Sequence, residues 1–477
     1  MKRVIAFPAM AAMLLAGCAS VPHHVQPQVA QVKQGALGLD SATAQIGADW
    51  WTAFGDPQLD RLIATGLADN PNLAVALARV RMAEAQIDTE HSGLLPHVNG
   101  TAVLNRAHIA EKLLPPPVGG STANLGIAAG NFAWDLDLFG RQRDLVRKAA
   151  NSAEAARLDT AAARLTVSVS IAQAYVGLAR AERQVQVADG FVQTRERALG
   201  YAQSRVKSQL SSQFDLRQAE TLLAEAQQAH TQAVQQRDLM VHALAALVGR
   251  GADFYPQIAA PTLALDKPPV VPAILSADLL GRRPDLLAGQ ARIEAALQGR
   301  KAAAAAFLPD VSISVLGGLT AIGLGNFFTA GAGTWGGGPT LSVPIFEGGR
   351  LKAQYKGATA DLDAAVASYN ASVLGAVHEA ADAITNVRAA DDSLGEQDRV
   401  VQGLRETVRL DQVRVSTGLG SQLDTVESGF RLLEAEQALV NLQADALVRR
   451  IQLVAALGGG FDPTRPLAAA HTPDTQS

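Results

Sequence analysis

Val387, Leu394, Val401, Val408 and Val415 recur every seventh residue, the spacing of an apolar seam on a supercoiled helix. Leu178, Val185, Val192, Leu199 and Val206 keep the same spacing about 210 residues earlier. Each stripe runs into a short turn, near 416–421 and 208–214, and a second helix leaves it. A different period fills other stretches. Val311, Ile313, Val315, Gly317 and Leu319 alternate with Asp310, Ser312, Ser314 and Gly318, Leu316 being the exception, and Val98, Gly100, Ala102 and Leu104 with His97, Asn99, Thr101 and Asn105. Phe132, Trp134, Leu136 and Leu138 alternate with Asp135 and Asp137, and Leu341, Val343 and Ile345 with Thr340 and Ser342. Period two with one polar face predicts four strands.

These segments repeat. Asn70-Pro71-Asn72-Leu73 matches Arg283-Pro284-Asp285-Leu286, Leu95-Pro96 matches Leu308-Pro309, and Ser212-Gln213-Phe214-Asp215 matches Ser421-Gln422-Leu423-Asp424. The near-constant offset predicts a duplicated unit of about 210 residues. In each copy a helix (57–92; 284–307) precedes a strand pair (96–138; 309–346), and a proline-free helical run (141–255; 347–462) follows. The arm before each tip is about 67 residues, roughly 100 Å at the α-helical rise. The arm after the tip is about half as long. A long rod therefore needs two half-rods stacked end to end along it. The expected organisation is 1–17 leader, 18–48 tether, 49–250 first repeat, 251–283 linker, 284–459 second repeat and 460–477 tail.

Composition adds the compartment. Lys2 and Arg3 precede an apolar run of signal-peptide length that ends in Leu15-Ala16-Gly17-Cys18. That tetrapeptide resembles a bacterial lipobox, and Cys18 is the single cysteine of the chain. It cannot form an intramolecular disulfide, but it can carry acyl chains such as palmitate. Ala19 follows it, which by family habit favours sorting to the outer membrane. No later stretch reads as a membrane helix of about 20 apolar residues, so a membrane-spanning part would be built from strands. The net charge of -4 does not suggest a nucleic-acid partner.

Four strands cannot close a membrane barrel, which needs at least about eight and no open edge. Three chains would supply twelve. Phe132, Trp134, Phe139, Trp335 and Phe346 fall at or near strand ends, where an aromatic girdle sits. Asp135 and Asp137 would then face a water-filled lumen.

The lipobox, Trp50-Trp51 with Asp56-Pro57, Gly281-Arg282-Arg283-Pro284-Asp285, Val343-Pro344-Ile345-Phe346-Glu347-Gly348-Gly349-Arg350 and the doubled tip together resemble the TolC-like outer-membrane factors, in their NodT- or OprM-like lipoprotein branch. The resemblance covers nearly the whole mature chain. It implies a mostly α fold with a transmembrane β-barrel: a homotrimer whose twelve-stranded outer-membrane barrel continues into a twelve-helix periplasmic tunnel. It implies a lipid-anchored exit duct for drugs or other small molecules, without cofactor or ATP. The partners implied are a periplasmic adaptor, an inner-membrane pump of the resistance–nodulation–division type, and outer-membrane lipid.

Carried over by position, Leu423 is the apolar and Glu427 the acidic residue of the family's periplasmic gate. Asp424 and Asp215, the acidic residues that open the second helix at each tip, are counted with the same periplasmic gate. Leu423 and Glu427 are four apart and share a helix face. The carboxylates at Asp424 and Asp215 also suit a helix N-terminus electrostatically. Gln209 stands where Gly is usual, and Val415 and Gly420 stand where the best-known member makes closing bonds with a tyrosine and an arginine. No enzyme motif competes: His378-Glu379 lacks a second His at zinc-protease spacing, and 331–338 lacks the Lys-Ser/Thr of a phosphate loop. A duct for type I protein secretion and a coiled-coil structural lipoprotein are the alternative readings.

Overall fold

The computed structural model describes residues 28–30, 47–112, 115–266 and 282–462. Cys18, the leader, most of the tether, part of the inter-repeat segment and most of the tail lie outside the described residues.

The elements follow the repeat. In the first copy they are α1 (Pro57–Asp69), α2 (Pro71–Ser92), β1 (His97–His108), β2 (Thr122–Leu136), α3 (Arg141–Lys207) and α4 (Gln213–Leu247). In the second they are α5 (Pro284–Ala305), β3 (Asp310–Ile322), β4 (Gly333–Ser342), α6 (Arg350–Ser416) and α7 (Gln422–Ala456). Both long arms are 67 residues, and both arms after the tip are 35 residues.

Two expectations are corrected. The first helix is not continuous over 57–92. Asn70 is extended before Pro71, as a pre-proline residue prefers, so α1 and α2 are separate. The strand ends are shorter than the alternation suggested: Leu138, Val343 and Ile345 lie beyond β2 and β4, because the sheet lacks ladder partners there. The start of the inter-repeat segment, expected as the link between the copies, is packed. Ala252–Gln257 is a 3-10 turn, Ile258 and Leu265 are buried, and the Tyr255 ring stacks on His242 at 4.3 Å.

The chain divides into two compact units, each drawn from both repeats. One contains Arg79–Ala156 and Ala288–Asn370 and holds the sheet. Its strands form one antiparallel sheet in the order β1-β2-β3-β4, so the two hairpins of the two copies join through β2 and β3. The register places Val98, Phe132 and Val315 in one row, and Trp134 beside Ile313, on one face. Asn99 with Asn131, and Asp135 with Ser312 and Thr340, occupy the other. The alternation in sequence is thus one apolar face and one mostly polar face, on which Val103, Ile127 and Leu316 are among the large apolar exceptions. Three of the aromatics are exposed, Trp335 at 88% and Phe346 at 89% most of all. Gly318 and Gly337 lie where a Cβ would strike the neighbouring strand at 2.2 and 2.4 Å, so only glycine admits that close approach. In the same unit, Asn370 donates to the Gln28 carbonyl at 3.0 Å.

The other unit, with Ala30–Ala78, Arg157–Leu287 and Ala371–Ser477, holds the main core. Leu59 and Ile63 of α1, Ile171, Tyr175 and Leu178 of α3, Leu244 of α4, and Leu447 and Ile451 of α7 are nearly or wholly inaccessible there. Trp50 packs edge-on against Trp51 and Phe54. Helix α3 is the described helix with a stretch long and apolar enough to cross a membrane. Of that stretch 44% is buried in the protein, and α3 also supplies much of the core.

Candidate gate at the hairpin tips

The two tips share one backbone. In the first, Gln209 N–H donates to Val206 O and Leu210 N–H to Arg205 O; in the second, Gly418 donates to Val415 and Leu419 to Arg414. This crossed pair of bonds is a Schellman turn, which needs a left-handed residue. Gly418 meets that with φ 77, whereas Gln209 adopts φ 59 with a side chain. Gly420 also has a steric role, since a Cβ there would lie 3.0 Å from Arg414 Cβ and 3.2 Å from the Val415 nitrogen. A bulkier residue there would require the turn to give by a few tenths of an ångström.

A capping box then starts each returning helix. Asp215 accepts from the Ser211 hydroxyl at 2.6 Å, the Ser212 N–H at 3.0 Å and the Ser212 hydroxyl at 2.9 Å. These bonds, led by the one from Ser211, hold its carboxyl below the ordinary range. Asp424 accepts from Ser421 N–H at 3.2 Å, while Leu423 N–H donates to the Ser421 hydroxyl at 3.1 Å. Both aspartates therefore have a local task in starting a helix.

Leu423 and Glu427 fall on one exposed arc of α7, together with Arg431 and Glu434. Leu423 is 67% accessible. Glu427 accepts from Arg431 at 2.7 Å, one turn farther along. The sequence reading missed Arg431, although the four-residue Glu-to-Arg spacing is a readable helix pair. Leu210, Phe214 and Leu419 are exposed near the turns as well.

One expected lumen residue is corrected. Asp137 follows β2 and caps α3: it accepts from Gln142 N–H at 3.1 Å, Arg143 N–H at 3.0 Å and Arg143 Nε at 3.0 Å. Burial alone would raise its pKa, but those bonds and the Arg143 charge hold it below the usual value. Asp135 stays on the polar face with Ser312 and Thr340.

A sheet with one apolar and one polar face, in a chain of paired 67-residue helical rods with capped tips, defines a subunit of a strand-and-hairpin outer-membrane channel. The chain belongs to the outer membrane efflux protein family, whose profile matches residues 62–250 and 275–459, one stretch in each repeat. It is 33% identical over 474 residues to the multidrug resistance outer membrane protein MdtP of Shigella flexneri, covering 94% of both chains. It is 30% identical to the probable efflux pump outer membrane protein TtgC of Pseudomonas putida, covering 95% of both. Among solved structures, the outer membrane protein VceC of Vibrio cholerae superposes with a TM-score of 0.79 at 31% identity, over 87% of this chain and 100% of that one. The CmeC outer membrane channel of Campylobacter jejuni gives 0.83 at 23% identity, over 93% and 95%, a likeness of fold.

Proposed function

We propose that the protein is the exit duct of a tripartite efflux system, assembled as a homotrimer and anchored to the outer membrane through acylated Cys18. The observation that carries this is the sheet. Among the described residues, β1 and β4 each pair on one side only, and a membrane does not tolerate open edges. Joining β1 of one copy to β4 of the next, three times, gives a closed twelve-stranded barrel with the apolar face to lipid and the polar face to water. The long hairpins continue it as a periplasmic helical tunnel. The duct is passive, with no catalytic step. A periplasmic adaptor docks at the exposed tips, and an inner-membrane pump of the resistance–nodulation–division type supplies the energy. Drugs or other small molecules pass through.

Leu423 and Glu427 form the periplasmic gate in this reading. Three leucines make a dry constriction, and three Glu427 carboxylates stand one turn beyond it. Arg431 changes the expected selectivity, because each carboxylate has a guanidinium bonded to it. The ring is alternating rather than purely acidic, so cation preference in the wild type is weak. Leu423→Ala combined with Glu427→Ala gives a more conductive pore in planar bilayers, and unchanged single-channel conductance would count against the gate. Arg431→Ala leaves the carboxylates unpaired and increases cation selectivity, read as the reversal potential under a salt gradient. For the duct as a whole, a deletion strain becomes drug-sensitive and the restored gene reverses it. Crosslinking from Leu210 and Leu419 recovers the adaptor.

A further inference from the structure

The seam between α3 and α7 changes character along its length. Away from the tips it is core: Tyr175 and Leu178 are buried with Val440, Ala444 and Leu447. On the tip side of Val440, no large α7 side chain is buried among the described residues. Separate contacts take over. At the edge of the core, beside Val440, Gln184 Nε2 donates to Asn441 Oδ1 at 2.7 Å. Leu433 then rests on Gly190, where a Cβ would come within 3.0 Å of it. Next, the Phe430 ring is gripped from α3: Phe191 stacks on it at 5.8 Å and 28°, and Arg195 Cζ lies 3.5 Å from its centroid. Nearest the tip, Tyr201 Oη donates to Gln422 Oε1 at 2.6 Å, in the first turn of α7.

We propose that Phe430, held by Phe191 and Arg195, is a latch that sets the resting position of the second tip, with the Tyr201–Gln422 bond as its terminal tie. The proposal rests on the reading of Leu423 and Glu427 as the gate. Gln422 immediately precedes Leu423, and Phe430 lies three residues beyond Glu427. The arc of α7 that grips α3 thus adjoins the arc that carries the gate residues, and a rigid helix turn cannot move one without the other. The grip consists of few, separable contacts below a fixed core, which suits a contact that opens and recloses. Partial burial lowers the Arg195 pKa against the opposing pull of Glu225 and Glu434, and the contact with the ring face holds the guanidinium there. The fastening comes from the α3 side. It therefore does not depend on Val415 and Gly420, which lack the groups to make closing bonds.

The test uses the full-length, membrane-reconstituted protein and single-channel recording. Phe430→Ala and Arg195→Ala shift the open-to-closed ratio toward open by about fivefold, the effect of losing one such contact. Phe430→Tyr and Arg195→Lys, which keep ring and charge, restore the resting value. Tyr201→Phe gives a smaller shift in the same direction. Should Phe430→Ala fail to assemble, Arg195→Gln, which leaves the ring pair in place, carries the test. Wild-type gating in the latch variants beside a leaky Leu423→Ala overturns the latch and leaves the gate standing. Wild-type gating in all of them overturns the gate and the latch with it.

Discussion

The two repeats fasten their long rods by opposite chemistry. In the first, the carboxylate of Asp56, just before α1, is 2% exposed and accepts from Tyr175 Oη of α3 at 2.7 Å. Thr262 adds its N–H and hydroxyl, and Gln58 its N–H. In the second, Arg283, just before α5, reaches Glu379 of α6 at 2.9 Å, Asp285 at 2.9 Å and the Ala456 carbonyl at 3.0 Å. The joints beside these pins remain equivalent. Asn70 Nδ2 bonds the Leu247 carbonyl at the end of α4, as Arg283 bonds that of Ala456 at the end of α7. Gly249 and Gly458 follow those helix ends, both with positive φ. A Cβ on Gly249 would lie 2.5 Å from the Asp69 carbonyl. Duplication kept the backbone that stacks half-rods and let each copy find its own polar fastener. A buried anion bound by neutral donors and a guanidinium shared by two exposed carboxylates should respond differently to substitution and to pH.

The largest effect is expected at Asp56. Asp56→Ala leaves the Tyr175 hydroxyl and the Thr262 donors without their acceptor and costs about 3 kcal/mol, seen as a lower thermal midpoint in detergent. Asp56→Asn separates charge from shape. Burial alone would raise the Asp56 pKa, but the bonds from Tyr175, Gln58, Thr262 and Leu59 outweigh it and hold the value below normal. The sign follows: a depressed folded pKa contributes stability that is complete above the unfolded value, about 3.9. That contribution is lost as pH falls through the folded value. The wild type should lose stability in that acid window more steeply than Asp56→Asn, and equal slopes would break the contrast. The Arg283 guanidinium, raised by Asp285 and Glu379 despite the burial that lowers it, stays charged throughout that window.

Arg283→Ala comes next, at about 2 kcal/mol, below the range for a fully buried pair because Asp285 and Glu379 keep access to water. Asn70→Ala removes an N-cap acceptor for Asn72 and the bond to Leu247, about 1 kcal/mol. If Asn70→Ala proved as costly as Arg283→Ala, the second repeat's charged fastener would be worth no more than the first repeat's neutral joint.

The periodic features of this fold were legible because each rests on local spacing. Val401, in the middle of the second heptad stripe, is fully buried, and the strand alternation became the two sheet faces. The stripe was under-read between its apolar positions. Gln397 and Asp411 are also partly buried there, and Gln397 donates to the Ala435 carbonyl at 2.9 Å. A polar residue that spends its donor across a seam looks like a surface residue in sequence. The same reason hid the grip on Phe430, whose partners lie on α3, whereas the cap at Asp137 is local, with Gln142 and Arg143 only a few residues on. At the candidate gate, Leu423 and Glu427 could be placed by position, but the Arg431 pairing changes what their ring would do.

The smallest effect tests the tips, where backbone and sequence disagree. Both turns need a left-handed residue, and Gly418 supplies one at no cost while Gln209 does not. Gln209→Gly should therefore stabilise the first tip by about 1 kcal/mol, and Gly418→Gln should destabilise the second by a similar amount. Both turns are exposed, so global unfolding will register little of either change. The sensitive measurement is local: amide exchange of Leu210 and Leu419, whose N–H groups close the turns. Slower exchange at Leu210 in Gln209→Gly, with faster exchange at Leu419 in Gly418→Gln, is the expected pair. Equal exchange in wild type and variants would mean that Gln209 bears no strain. The difference between the tips would then lie in their side chains alone.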